Sequence, residues 1–518
     1  MSEAAAPDTI DKRKLFTFLC MVFGMFMAIL DIQIVSASLS EIQAGLSASQ
    51  DDIAWVQTAY LIAEVIMIPL SGYLSRMLST RWMFTLSAAG FTAMSLMCST
   101  ATTINEMIVW RALQGFLGGG MIPTVFASAY TIFPRSKFSI ISPMIGLVAT
   151  LAPTIGPTLG GYLTEYASWH WLFIINVIPG ILVTIAAATL IDFDEPDFSL
   201  FDRFDWVGFA AMAVFLGSLE YVLEEGASDD WFHSEEIVFF ATLTAFGALV
   251  FFWRCFTAEE PVVDLRAFSD KNFAMGSIFS FTMGIGLYGL TYLYPVYLSG
   301  IRGYTSLQIG ETMFVSGLAM FMAAPLAGRL MGILDPRLMM GLGFAGFALG
   351  TWMVTGLTHD WDFWELFVPQ ILRGVSLMIS MVPINNIALG MLPPHMIKNA
   401  SGLFNLTRNL GGAVGLALIG TALTNRQDFH YERLSESLNW TRPVATETLD
   451  AMTRAYSSLG SLSETAALKA LSGIVTREAF VMSFADVFLI LTGLFTMLLF
   501  ALVFVDKPKA GVSGGGGH

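Results

Sequence analysis

Among the ionisable side chains that interrupt long apolar stretches of the sequence are Asp31, Glu64, Arg111, Arg373 and Arg408. A charge in hydrocarbon costs about 3 kcal/mol on insertion scales, so such residues face a cavity or a partner. Burial disfavours an ionised carboxylate and a neighbouring arginine favours it. A carboxylate whose access and neighbours change can therefore bind a proton on one side of a membrane and release it on the other. Asp31, toward the outer half of its stretch, and Glu64, near the middle of its own, are the candidates. Arg111 stays charged at any relevant pH; it cannot carry the proton but can hold a carboxylate ionised until the two separate. The plainer readings are a structural hydrogen bond for Glu64 and a structural ion pair for Arg111. Gln57, Tyr60, Glu64 and Ser71 recur at helical spacing as one polar stripe, and Asn405, Arg408 and Asn409 as another. Gln114 continues the Arg111 face, and Tyr288 and Tyr292 share a face. Gln57, Tyr60, Gln114, Tyr288, Tyr292, Asn405, Arg408 and Asn409 are the candidate contacts for a small-molecule ligand.

The elements that must position these groups are membrane helices. The chain has 518 residues, 55% of them apolar and 13% charged, with a mean hydropathy of +0.66. That composition belongs in a bilayer. Apolar runs predict about fourteen helices, at roughly 15–39, 53–73, 82–100, 105–131, 139–163, 171–191, 205–223, 237–256, 273–299, 307–330, 338–357, 363–388, 400–424 and 482–505, each long enough for ~30 Å of hydrocarbon. The runs lack the alternation of a barrel. A net charge of −15 argues against nucleic acid, whose phosphates require clustered Lys and Arg. Cys20, Cys98 and Cys255 have no metal-ligand or disulfide spacing. Lys12-Arg13-Lys14 ahead of an apolar run looks superficially like a secretory leader, but the run is too long and many spans follow. The segment 511–518 reads as flexible linker.

Lys and Arg in short loops resist translocation. With a cytoplasmic N-terminus, sixteen of them lie on the inner side and only Arg302 in the short outer loops; six more fall in a long outer segment near 425–480. Both termini are then cytoplasmic. Internal repetition is also legible. Pro69-Leu70-Ser71-Gly72-Tyr73-Leu74 matches Pro325-Leu326-Ala327-Gly328-Arg329-Leu330, and the register continues through Arg81 and Arg337 to Ala89-Gly90-Phe91 and Ala345-Gly346-Phe347. A slip of six then aligns Arg111 with Arg373. Two six-helix lobes are expected, at 1–191 and 258–510, related by an axis along the membrane normal. Two additional spans fall in 192–257, after an acidic surface linker at 192–205. Helical patterning at 447–471 gives the outer segment a cap or docking element.

These features resemble the major facilitator superfamily, in its fourteen-helix drug:proton antiporters of the EmrB/QacA type. Leu30-Asp31-Ile32-Gln33-Ile34-Val35 is similar to that branch's first-helix motif, and Gly72-Tyr73-Leu74-Ser75-Arg76 through Arg81 to the signature between helices two and three. Ser75 stands where the family carries an acidic residue, which puts a local charge relay there in doubt. Arg111-Ala112-Leu113-Gln114-Gly115 resembles the fourth-helix motif. Gly146 through Ala152-Pro153, Gly156-Pro157 and Gly160-Gly161 resembles the antiporter motif of the fifth, and Trp169 through Asn176 with Pro179-Gly180 also looks like this branch.

The resemblance implies an all-α major facilitator fold of two lobes plus two linker helices, and a transporter rather than an enzyme. It implies proton coupling through Asp31, Glu64 and Arg111. Conformational gating falls to Gly72, Arg76, Arg81, Gly146, Pro153, Gly156, Pro157, Gly160 and Gly161. The expected activity is proton-coupled export of hydrophobic or cationic small molecules across a bacterial inner membrane, with protons as the coupling ion and no other cofactor. Relatives in Gram-negative bacteria work with a periplasmic adaptor and an outer-membrane channel. The alternatives are a proton-coupled transporter for one metabolite or siderophore, and a transporter-like sensor. No Gly-x-x-x-x-Gly-Lys phosphate loop is present to support nucleotide-driven pumping.

Overall fold

The computed structural model describes residues 11–438 and 441–505; the predicted tail at 511–518, with Lys507 and Lys509, lies outside the described residues. Among the described residues, twelve helical stretches are long and apolar enough to cross a membrane. One of them, Gln50–Ser99, is two spans joined at Ser79, whose φ of 75° breaks the helix. A further span runs from Ile104–Gly118 into Met121–Ile132, with Gly119 and Gly120 between them keeping right-handed helical dihedrals, where a single helix over 105–131 is predicted. The spans therefore number fourteen.

They are α1 (Lys12–Ser36), α2 and α3 (50–78 and 80–99), α4 (Ile104–Gly118 with Met121–Ile132), α5 (Phe138–Tyr166), α6 (Trp171–Leu190) and α7 (Trp206–Glu225). Then follow α8 (Glu235–Thr257), α9 (Lys271–Gly300), α10 (Ser306–Met331), α11 (Pro336–Val354), α12 (Phe363–Leu389), α13 (Pro394–Ser437) and α14 (Ser463–Ala501). Polar residues between the apolar runs satisfy the orphan N–H groups at the helix starts. Ser49, Thr103, Asp205, Asp270 and Asp335 each accept a first-turn N–H, and Asp362 with Glu365 closes a capping box.

Close glycine contacts reveal how the two halves correspond. A methyl in place of the Gly115 hydrogen would lie 2.3 Å from the Tyr60 carbonyl oxygen, and one at Gly374 would lie 2.4 Å from that of Ser316. Likewise Gly72 on α2 meets the Lys398 carbonyl on α13, and Gly328 on α10 meets the Ser139 carbonyl on α5. Tyr60 to Ser316 and Gly72 to Gly328 are both steps of 256 residues, while Gly115 to Gly374 and Ser139 to Lys398 are both 259. The slip is three, not six. Arg111 therefore corresponds to Gln370, and Arg373 to Gln114, correcting the sequence alignment of the two arginines. A shift of three is almost one helical turn and keeps the same face, which is why sequence matching alone does not exclude the wrong register.

The helices α7 and α8 lie against one side of this arrangement. Gly217 on α7 packs on Ile62 and Ile66 of α2, Trp55 stacks on Tyr221, and Trp231 beyond α7 donates to Thr421 on α13 at 2.9 Å. The α8 face away from α7 exposes Phe239, Phe246 and Leu249, as a lipid-facing helix does. The linker at 192–205 is docked rather than loose: Tyr73 donates to the Leu200 carbonyl at 2.7 Å, and Tyr73, Met77 and Leu200 bury one another.

The segment 425–480 is largely an extension of two spans. α13 has 44 residues, roughly 66 Å of helix, or about twice the hydrocarbon thickness. Arg426 and His430 on that extension both bond Asp486 of α14, at 2.6 and 2.7 Å. The predicted helix over 447–471 is interrupted: Pro443–Ala455 ends, Gly460 turns the chain at φ 60°, and α14 begins at Ser463. Glycine permits that backbone at low cost.

Candidate functional site

Asp31 is completely buried and sits at the centre of a polar cluster inside the first bundle. Arg111 donates to its Oδ2 at 2.6 Å, Asn176 to its Oδ1 at 2.7 Å and Gln114 to the same Oδ1 at 3.2 Å. Arg111 also donates to the Gln114 side chain at 2.9 Å and, through Nε, to the Val56 carbonyl at 3.1 Å. Its guanidinium lies over the Tyr60 ring, 4.2 Å from the centroid. Four helices converge here for local reasons. Gly115 lets α4 close onto the α2 backbone at Tyr60, which brings Arg111 beneath that ring. Asn176, on α6, faces the cluster and also donates to Ser95 at 3.2 Å.

An ion pair removed from water is favourable only when further hydrogen bonds complete it. Asp31 has those bonds, with three donors shared between its two carboxylate oxygens. Replacing Asn176 by Leu removes the 2.7 Å donor and should destabilise the protein by about 1–3 kcal/mol. A lower thermal midpoint for the purified variant checks this.

Glu64 differs. It is 2% exposed and its Oε1 has no hydrogen-bond partner. Arg111, Asp31 and Arg408 all lie within its electrostatic reach, and Arg408 is on α13, across the seam between the bundles. Arg408 is held by Asn405, which accepts from Nη2 at 2.6 Å, and lies over the Phe126 ring at 5.2 Å; its Nη1 is unpartnered. Tyr288 on α9 packs against Gly412 and senses both Arg408 and Glu64. The structure thus brings together two groups. Asp31, Arg111, Gln114 and Tyr60 form one inside the first bundle; Glu64, Arg408, Asn405 and Tyr288 form the other across the seam. Gln114 is engaged with Asp31, Arg111 and the Cys98 thiol, which places it in the first group. Gln57 is buried with an unpartnered Oε1, Asn409 is half-buried, and Tyr292 is 39% exposed one turn beyond Tyr288.

Of the gating candidates, Gly156 and Gly160 hold α5 against α1. A methyl at Gly156 would lie 2.4 Å from Gln33 Cβ, and one at Gly160 2.9 Å from the Ile34 carbonyl oxygen. Gly161 is buried. Pro153 and Pro157 lie within an α5 that stays helical from Phe138 to Tyr166. Gly146 is roomier, with Met378 and Val382 at ordinary contact distance. At the turn between α2 and α3, Gly72 packs on Lys398 and Asn399 of α13, Arg76 pairs with Glu260 at 3.7 Å, and Arg81 lies over the Trp82 ring.

Sequence reasoning passed over three contributors. Asn176 stands in a quoted motif without an assigned role; only the fold shows that it faces Asp31. Glu220 is a carboxylate in an apolar run, a visible signal; it is buried on α7 within electrostatic reach of Glu64 and Tyr288. Gln370 accepts from Arg373 at 3.3 Å, so the second bundle carries the arginine–glutamine pair in reversed order.

The profile of the Major Facilitator Superfamily matches residues 21–416. The chain is 42% identical to the colistin resistance protein EmrB of Acinetobacter baumannii, over 95% of this chain and 96% of that one. It is 30% identical to the multidrug export protein EmrB of Escherichia coli K12, over 95% of each. The human organic anion transporter MFSD10 (TETRAN) superposes with a TM-score of 0.57 at 13% identity, covering 95% of this chain and 100% of that one, which supports the fold alone. With its spans, its paired bundles and the buried aspartate–arginine cluster of α1 and α4, the chain belongs to the major facilitator superfamily, in the EmrB-type drug:proton antiporter branch.

Proposed function

We propose that this protein exports hydrophobic or cationic small molecules from the cytoplasm of a bacterium across its inner membrane, driven by proton entry. Both termini face the cytoplasm in this reading, with the α13–α14 extension on the outer side, where a periplasmic adaptor leading to an outer-membrane channel would dock. The observation that carries the reading is the division between the two carboxylates. Asp31 is bonded to Arg111, Gln114 and Asn176, whereas Glu64 has a buried oxygen with no partner and lies at the seam. Asp31 is assigned to proton coupling. Glu64, with Tyr288 nearby, is assigned to the substrate's positive charge, which supplies the missing partner. Arg408 faces Glu64 from across the seam, within its electrostatic reach. Alternating exposure then follows from rocking one bundle against the other.

Transport of a fluorescent cation into everted vesicles tests this. Glu64→Gln should raise the concentration for half-maximal transport of a cation at least ten-fold while leaving a neutral hydrophobic substrate within two-fold. Equal effects on both substrates would remove Glu64 from charge recognition.

A further inference from the structure

The segment 72–81 between α2 and α3 has no carboxylate of its own, yet one reaches it from elsewhere in the chain. Asp194, in the linker between α6 and α7, accepts the backbone N–H of Thr80 through both oxygens, at 3.1 and 3.0 Å. It also pairs with Lys398 in the first turns of α13. Lys398 in turn donates to the Ser75 carbonyl at 3.0 Å. Four segments meet at this one carboxylate.

Each contact has a local cause. Ser79 adopts φ 75° and breaks the helix, so α3 begins with orphan N–H groups and the positive end of its dipole. Asp194 caps that start. Gly72 lets the α13 backbone approach α2 at Lys398 and Asn399, which brings the Lys398 ammonium within reach of Ser75 and Asp194. The linker is fixed on both sides of its docking surface, by the Tyr73 bond to the Leu200 carbonyl and by the Asp197 amide on the Arg76 carbonyl at 3.3 Å. The Asp194 and Lys398 side chains are only about a fifth exposed, at 22% and 19%, so water screens the pair less than it would a surface bridge. A cavity of about 400 Å³ opens beside the pair, lined by Arg76, Asp194, Glu195, Asp264, His395 and Lys398.

We infer that Asp194, supplied by the interlobe linker, is the positioning carboxylate of the transport cycle on the α2–α3 face. While Lys398 is bound, the two bundles are locked together on that face and the opposite face is free to open. When α13 swings away, Asp194 remains on the Thr80 amide and the lock is broken at the lysine. The linker is thereby part of the gate. This rests on the reading of the chain as an alternating-access exporter, and the test is chosen to separate the two.

Hydrogen–deuterium exchange of the full-length protein in nanodiscs reads both faces without requiring transport. Asp194→Asn should speed exchange about ten-fold in the 72–82 and 394–402 segments, and slow it on the opposite face near 300–310. Ser75→Asp placed in the Asp194→Asn protein should restore both faces toward the starting pattern, because it puts a carboxylate beside Lys398, which already bonds the Ser75 carbonyl. A purely structural role would instead speed exchange on both faces and lower the melting temperature. That outcome, unchanged exchange, or failure of Ser75→Asp to restore a well-folded variant would each overturn the assignment. If the faces respond reciprocally but no proton-driven export of any cation is found in vesicles, the lock stands and the exporter reading fails.

Discussion

Asp31→Asn is expected to abolish proton-driven export. One elementary charge moving down 100 mV releases about 2.3 kcal/mol, which sustains roughly a 50-fold substrate gradient for each coupled charge. Without a titrating group at residue 31 that gradient should collapse toward unity in everted vesicles, while binding of substrate to the purified protein persists. The substitution has a second consequence. Arg111 is 0% exposed and Asp31 is its ion-pair partner at 2.6 Å, so neutralising Asp31 leaves a buried guanidinium without a counter-charge. Breaking a buried pair in this way costs about 3–5 kcal/mol. Asp31→Asn should therefore also lower the melting temperature. The double variant Asp31→Asn/Arg111→Gln removes both charges and should recover much of the stability while remaining uncoupled. That pattern separates coupling from folding. An Asp31→Asn protein that sustains the wild-type gradient would transfer the proton to another group.

The second large effect is expected at Gly156. Gln33 Cβ lies 2.4 Å from where a Gly156 methyl would stand, and Gln33 is two residues beyond Asp31 on α1. Gly156→Val must push α1 and α5 apart, and overpacking of this kind costs about 1–3 kcal/mol, occasionally more. Because α1 carries Asp31, the displacement also stretches the 2.6 Å bond to Arg111, so transport should fall by more than ten-fold even in protein that folds. Gly146→Ala is the companion measurement. Its methyl would meet Met378 at an ordinary 3.6 Å, and alanine suits a helix better than glycine, so stability and transport should both stay within two-fold of wild type. Equal damage from the two substitutions would mean that α5 responds to any added bulk rather than to the α1 contact.

Much of this architecture was legible before any coordinates. Spans of apolar sequence must be helices in a bilayer, because only intrahelical bonds satisfy the backbone there, and the charges Asp31, Glu64 and Arg111 stood out against them for the same reason. Boundaries outside the bilayer were less legible. The extension of α13 to Ser437 and the turn at Gly460 are set by helix packing and by Asp486 bridging Arg426 and His430, with no hydrophobic period to announce them.

By itself, then, the sequence determined the membrane environment, the repeated halves, the family resemblance and the set of intramembrane charges, since hydropathy and residue type are local properties. Partnership was decided only by the tertiary structure. Asp31 meets Arg111 across 80 residues and Asn176 across 145, Gln114 joins them, and Glu64 Oε1 is left unpartnered at the seam. The correspondence of Arg373 with Gln114 rather than Arg111 also needed the glycine contacts. Side chains far apart in the chain are brought together by helix packing, and packing depends on shape in three dimensions that no residue pattern along one helix encodes.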